Sequence, residues 1–323
     1  MQLRRRRFLY LAAVATALPA WSRVVAALDY PTRPVRLVVG WPAGSGPDIP
    51  QRLIGQWLSE RLGQQFNIDN RPGADGNIGT ELAIKAAPDG YTLLGVVSTN
   101  AVNASFYTNL NFDFLRDIVP VGSIGRTPFV LLVNPSFAVK TVPELIAYAR
   151  ANPGKVNMAS PGIGSTQHVC GELFKMMTGV DLVHVPYRGN YTTDLLNGQV
   201  QLAFMPMAQA LQYVKDGTLR ALAVTTATRS DALPGVAAIA EFVPGYVGGG
   251  WYGIGAPKDT PIEIVDILDT AISAGVADPT VKARFLALGI EPRPMTAAEF
   301  GNFIADESAK WAKVIKFAGI KAE

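Results

Sequence analysis

Val35-Arg36-Leu37-Val38-Val39-Gly40-Trp41-Pro42-Ala43-Gly44-Ser45-Gly46-Pro47-Asp48 passes from an apolar, β-branched run into a loop of small residues and then into a helical pattern. Val35–Val39 predicts a buried strand. Asp48 predicts the cap of a helix with its apolar face at Ile49, Leu53, Trp57 and Leu62 and its end at Gly63. The same order returns further on: a strand over residues 156–159, the loop Ser160-Pro161-Gly162-Ile163-Gly164, and a helix capped by Ser165 and running to Met177. Two units that each open with a strand, a glycine loop and a helix predict an α/β fold.

The rest of the chain fits that grammar. Further strands are expected over residues 66–69, 92–97, 129–133, 182–185, 200–204 and 219–225, and a helix over 78–86. Strands alternating with helices imply parallel sheets covered on both faces. Thr141 to Glu144 and Thr296 to Glu299 are capping boxes. The second opens a terminal helix with Phe300, Phe303, Ile304, Trp311 and Ile315 on one stripe. Residues 245–255 are rich in glycine and aromatics. Gly248-Gly249-Gly250-Trp251-Tyr252-Gly253 formally matches a dinucleotide-binding fingerprint, but no apolar strand precedes it and Pro257 follows where a helix should continue.

With 323 residues, 49% of them apolar, the chain has material for one large or two medium domains. The formal charge of +3 falls to −2 without the five arginines of the first 27 residues, which argues against a nucleic-acid partner. Those arginines belong to an export signal: Arg4 to Arg7, an apolar run over residues 8–20, then small residues to Ala27, where cleavage is expected. Arg5-Arg6-Arg7-Phe8-Leu9 resembles a twin-arginine signal, although Arg4 stands where Ser or Thr is usual and Tyr10 where Lys is usual. The twin-arginine and general secretory routes both end in the periplasm. No later segment holds 18 uninterrupted apolar residues. Cys170, the only cysteine, forbids an internal disulfide and lies far from the end of the signal.

His168 and His184 are the only histidines, and with one cysteine they offer no metal-ligand spacing; no cofactor is implied. A Gly-x-Ser-x-Gly elbow is absent, and Ser165 with His168 is a helix start before it is a catalytic dyad. Three loops remain. Trp41, Pro42, Ala43, Gly44, Ser45, Gly46 and Asp48 form one, Gly162, Gly164, Ser165, Thr166 and His168 a second, and Ser98, Thr99 and Asn100 end the strand of residues 92–97. Helix N-termini carry unpaired N–H groups and a positive dipole end, so such loops suit an anion. Neither of the first two contains Arg or Lys, so neutral donors would hold it. The same residues also read as ordinary strand-to-helix connections, with glycine for the turn and Asp48 or Ser165 for the cap. If they converge, a ligand between them bridges two lobes that close on it.

Several stretches together resemble the extracytoplasmic solute receptors of the tripartite tricarboxylate transporter family, the TctC or Bug family. They are Tyr30-Pro31 with Pro34 to Val39; Glu60 to Gln64; Asn70-Arg71-Pro72-Gly73-Ala74 with Gly76 to Gly79; and Ala87 to Leu93. Ala151 to Lys155, Gly171-Glu172-Leu173-Phe174, His184-Val185-Pro186-Tyr187, Leu219 to Thr225 and Pro244-Gly245-Tyr246 follow in order. The resemblance implies a two-lobed periplasmic-binding-protein fold of type II, with the ligand in the cleft between two α/β lobes. Lobe 1 is expected over 28–128 plus 246–323 and lobe 2 over 129–245, behind a signal peptide at 1–27. It further implies a monomeric, non-enzymatic receptor that hands a small aliphatic or aromatic carboxylate to a membrane permease. Tyr187 is then expected beside the ligand. The family's first loop usually reads Phe-x-Pro-Gly-Gly-x-x-Asp; here Ala43 replaces Pro, Ser45 the second Gly, and Pro47 the usual Thr. Many relatives carry Phe-Asp where this chain has Phe204-Met205, which implies an apolar wall and a ligand without an amino group. Two other readings stay open: a ligand-presenting partner of a membrane sensor, and an exported hydrolase using Ser165 with His168 or His184.

Overall fold

The computed structural model describes residues 29–322, so the signal expected over 1–27 lies outside the described residues. Among these the chain forms eleven strands and eleven α-helices. A six-stranded sheet holds β1 (Val35–Val39), β2 (Phe66–Asn70), β3 (Thr92–Val97), β4 (Ile118–Thr127), β10 (Gly250–Pro257) and β11 (Glu291–Pro292), in the order β11-β4-β10-β3-β1-β2. A five-stranded sheet holds β5 (Phe129–Val133), β6 (Asn157–Ser160), β7 (Val183–Pro186), β8 (Leu202–Pro206) and β9 (Arg220–Val224), in the order β7-β6-β8-β5-β9. The helices are α1 (Asp48–Leu62), α2 (Asn77–Ile84), α3 (Ser98–Phe106), α4 (Phe114–Asp117), α5 (Val142–Ala151) and α6 (Thr166–Thr178). They continue with α7 (Thr192–Leu196), α8 (Met207–Lys215), α9 (Ile262–Ala277), α10 (Pro279–Ala287) and α11 (Ala297–Ala318).

Both sheets are mixed, which corrects the expectation of parallel sheets. β1 pairs in parallel with β2 and β3, and β6 with β7 and β8. β10 runs antiparallel to β3 and β4, and β5 antiparallel to β8 and β9. The cause is connectivity: β4 carries the chain out to the second sheet, with only Pro128 between it and β5, and β10 brings it back. An outgoing and a returning strand side by side must be antiparallel.

β10 occupies the glycine-rich region to which the sequence pattern assigned no element. Its glycines are there for space. A Cβ at Gly253 would collide with the Phe300 ring, and one at Gly255 would lie 2.7 Å from the Ile118 side chain. Glycine weakens the local strand signal while making the central position possible.

α11 packs against α3, β4 and α6, so it touches elements attached to both sheets. Phe300, Ile304, Trp311 and Ile315 are buried and Phe303 half-buried, as the stripe predicted. Its capping box is formed: Glu299 N donates to Thr296 Oγ1 at 3.3 Å and Thr296 N to Glu299 Oε2 at 2.9 Å. In α1 the expectation shifts. Pro47 is the cap residue, and Pro50, Gln51, Ile54, Gly55 and Leu58 are buried, while Ile49, Leu53, Trp57 and Leu62 are half-buried. The helix is wedged against β2 and α9, where Trp57 Nε1 donates to Ala271 O at 2.9 Å, so its fully buried face points between the expected residues.

Candidate functional site

β1 and β3 are neighbours in the first sheet, and β6 and β8 in the second. Each of the four leads into a helix, β1 into α1 and β6 into α6 through loops, β3 into α3 and β8 into α8 directly. The first turns of all four helices face one cavity of about 490 Å³ between the sheets. Gly46, Pro47 and Ile49 line it from α1, Ser98 and Thr99 from α3, Ser165, Thr166 and Gln167 from α6, and Ala208 and Gln209 from α8. The positive ends of four helix dipoles therefore converge, two from each sheet, and α3, α6 and α8 add first-turn N–H groups without helical partners; at α1 the Asp48 and Ile49 N–H groups are taken by Ser45 O, and Pro47 and Pro50 have none.

The walls are largely apolar: Trp41, Phe129, Ile163, Tyr252, Leu288 and Ile290. Among the described residues the lining holds no Lys or Arg and one charged side chain, Asp75. Ala74 and Asp75 both take left-handed backbone (φ 47° and 50°), and Tyr107 Oη donates to Asp75 Oδ2 at 2.9 Å. Thr127 Oγ1 donates to Tyr252 Oη at 3.2 Å, leaving the phenol proton free for another acceptor; burial pushes that phenol up, so it stays neutral. Neutral donors in a partly enclosed site suit a carboxylate, because they stabilise the anion without leaving a buried cation unpaired when it departs.

Of the residues singled out from sequence, Trp41, Gly46, Ser98, Thr99, Gly162, Ser165 and Thr166 line the cavity. Pro42, Ala43 and Gly44 are exposed away from it. The Ser45 carbonyl accepts from Asp48 N at 3.0 Å and Ile49 N at 3.2 Å, so the loop turns its own donors inward. Asp48 is fully buried, its carboxylate accepting from Gly44 N at 2.7 Å, Arg52 Nε at 2.6 Å and Asn70 Nδ2 at 2.8 Å. Burial pushes this carboxyl up, but those three donors outweigh it and hold it below the usual range. It braces the loop rather than meeting a ligand.

Asn100 is likewise buried: its Oδ1 accepts from Val97 N at 2.8 Å and its Nδ2 donates to Thr80 Oγ1 at 2.9 Å. Gly164, at φ +80°, lies against the Phe106 ring, and its N–H points to His168. His168 is 1% exposed. Tyr187 Oη donates to Asp194 Oδ2 at 2.6 Å behind the loop. Met205 sits in the second sheet's core with Val130 and Tyr191, and its successor Pro206 reaches the cavity instead. The expectation of a Met205 wall is thereby corrected: strand alternation turns that side chain inward.

The sequence pattern missed Asp75, Pro206, Gln209, Tyr252, Leu288 and Ile290. A helix after the strand ending at Pro206 was the one available signal; the others arrive from distant parts of the chain. Among the described residues no nucleophile and base come together on the lining. Ser165 Oγ caps α6, accepting from His168 N at 3.3 Å and donating to Gly162 O at 2.7 Å. Among the described residues no helix is long and apolar enough to cross a membrane.

Comparisons with known proteins agree on one family. The profile described as "Tripartite tricarboxylate transporter family receptor" (TctC) matches residues 51–320. Protein BugT of Bordetella pertussis is 36% identical over 320 residues, covering 98% of each chain. R. palustris Rpa4515, solved with adipate, is 39% identical with a TM-score of 0.77, covering 91% of this chain and 99% of its own. MatC (Rpa3494) of Rhodopseudomonas palustris, solved with bound malate, is 28% identical with a TM-score of 0.74, covering 88% and 100%. With relatives matched over nearly their whole length and the same two-lobed periplasmic-binding-protein architecture, the chain belongs to the TctC or Bug family of solute-binding receptors.

Proposed function

We propose that the chain is a periplasmic receptor that captures a small aliphatic dicarboxylate in the cleft and delivers it to a tripartite tricarboxylate-type permease. The observation that carries this reading is the convergence of four helix N-termini, two from each lobe, on a cavity that has no Lys or Arg among the described residues. Free first-turn donors on α3 in one lobe and on α6 and α8 in the other, with the α1 dipole beside them, support a ligand with a carboxylate at each end. Adipate in Rpa4515 and malate in MatC are ligands of that class. Lobe 1 comprises residues 28–128 plus 246–323 and lobe 2 residues 129–245, with hinges at Pro128 and in the segment before β10. The exported chain begins near Leu28 after cleavage at Ala27 and acts as a monomer.

Thermal unfolding of the chain from Leu28 onward, with adipate, malate, citrate, benzoate and glutamate added singly, tests the reading. A ligand at about 100 times its dissociation constant adds about 2.7 kcal/mol of stability. A raised midpoint with adipate or malate is the expected result. No shift with any of the acids would remove the dicarboxylate reading.

A further inference from the structure

We infer that His168 is a positioning residue: as the Nε2–H tautomer it hooks the Gly164 N–H and so sets the shape in which Gly162, Ile163 and Ser165 face the cavity. The inference rests on reading that cavity as the ligand site.

His168 lies in the first turn of α6 and does not line the cavity. Gly164 N donates to its Nδ1 at 3.1 Å within the protein interior. A backbone N–H can only donate, so Nδ1 carries a lone pair and the ring proton sits on Nε2. Nε2 faces Glu172 Oε1 at 3.6 Å. Burial pushes the Glu172 carboxyl up, and the neighbouring His168 ring together with the bond from Lys175 Nζ at 2.9 Å brings it below the usual range, so a carboxylate stands opposite the ring proton.

The second histidine completes the anchor. The His184 ring, carried by β7, stacks on His168 with centroids 3.6 Å apart and planes 11° apart. Its Nε2 lies 2.6 Å from Ser160 Oγ, which accepts from Gly162 N at 3.2 Å. One imidazole thus holds Gly164 directly, and the other holds Gly162 through Ser160. The Phe106 ring of the first lobe lies against Gly164 where a Cβ would stand. Without the Nδ1 hook the Gly164 N–H would be buried without a partner, and the loop would turn to satisfy it.

With two histidines in the chain, imidazole ¹⁵N spectra resolve both rings, and His168→Asn assigns them. The expected spectrum at neutral pH shows His168 as the neutral Nε2–H tautomer, with the Gly164 amide protected from exchange. An Nδ1–H tautomer, or a freely exchanging Gly164 amide, would overturn the inference without any variant.

Two substitutions then separate the hook from mere bulk. His168→Asn places an amide oxygen where Nδ1 stands and keeps the hook; His168→Gln places its polar atoms at the Nε2 position and drops it. Adipate affinity should stay within about threefold in the first and fall by about tenfold or more in the second. Gly164 exchange should accelerate only in the second. Equal losses in both variants, or none in His168→Gln, would overturn the assignment. If adipate fails to bind the unmodified protein while Gly164 exchange still separates Asn from Gln, the ligand reading falls and the role of His168 stands.

Discussion

Ser98 Oγ and Thr166 Oγ1 lie 3.2 Å apart, one in the first turn of α3 and the other in the first turn of α6, so a hydrogen bond joins the two lobes at the cavity lining. Both hydroxyls are buried, and each sits beside helix N–H groups that have no intrahelical partner. A carboxylate entering here meets donors from both lobes at once.

Thr166→Val keeps the shape of the side chain and removes the hydroxyl. Dicarboxylate affinity, read by calorimetry, should fall about tenfold with little change in the unfolding midpoint of the free protein. Ser98→Ala should act similarly, and the double variant should lose less than the sum, because the two hydroxyls bond each other. Additive losses would show that they act separately.

Gly164→Leu places a Cβ 2.6 Å from the Phe106 ring at a residue with φ +80°. Overpacking together with the backbone penalty should cost about 1–3 kcal/mol in chemical denaturation and abolish ligand binding. Phe106→Ala in the Gly164→Ala background should restore part of the affinity by opening that contact. An unaltered Kd in Gly164→Leu would contradict the close approach of the lobes there.

Asp75 is the charged side chain on the lining, and its carboxylate repels a dianion. Asp75→Asn keeps an acceptor for the Tyr107 hydroxyl, whose pKa is pushed up to about 12 by burial and by that bond. The variant should bind dicarboxylates about two- to fivefold more tightly at low salt, with the gain shrinking as salt screens the charge. A monocarboxylate should gain less. Weaker dicarboxylate binding would mean that Asp75 accepts a hydrogen bond from the ligand.

Burial pushes the His184 imidazole from 6.5 down to about 4, with Lys175 adding to the shift and Glu172 opposing it. The folded protein therefore keeps this ring neutral where the unfolded chain protonates it. Stability should be flat above about pH 6.5 and decline as pH falls from 6.5 towards 4. Unfolding midpoints of the unmodified protein and of His184→Gln across that window check the sign. The variant should show the shallower decline; equal slopes would place the acid sensitivity elsewhere.

Features written by neighbouring residues were legible without coordinates. Val35–Val39, Thr92–Val97 and Phe129–Val133 are strands at the expected limits, because each is a short apolar run between turn residues. Ser165 caps α6, and Thr296 with Glu299 caps α11, because a cap depends on residues three positions apart. Asp48 was misread within the same logic. Its carboxylate had a choice of donors, and Arg52, Asn70 and Gly44 took it away from the helix start. β10 and β4 escaped notice because a strand rich in glycine, or interrupted by proline and glycine, has no distinctive local pattern.

By itself, then, the amino-acid sequence determined the α/β class, the strand, loop and helix units and the small-residue loops that open α1 and α6, together with a family resemblance that the comparisons uphold. Tertiary structure alone decided that β1 stands beside β3 and β6 beside β8, and so that four helix starts, rather than three loops, surround one cavity. It also decided that Met205 and His168 turn inward while Asp75, Tyr252 and Ile290 reach the lining. The physical reason is range. Caps and turns are set by hydrogen bonds between residues a few positions apart, whereas strand order and the facing of a side chain are settled by burying apolar surface between segments far apart in the chain.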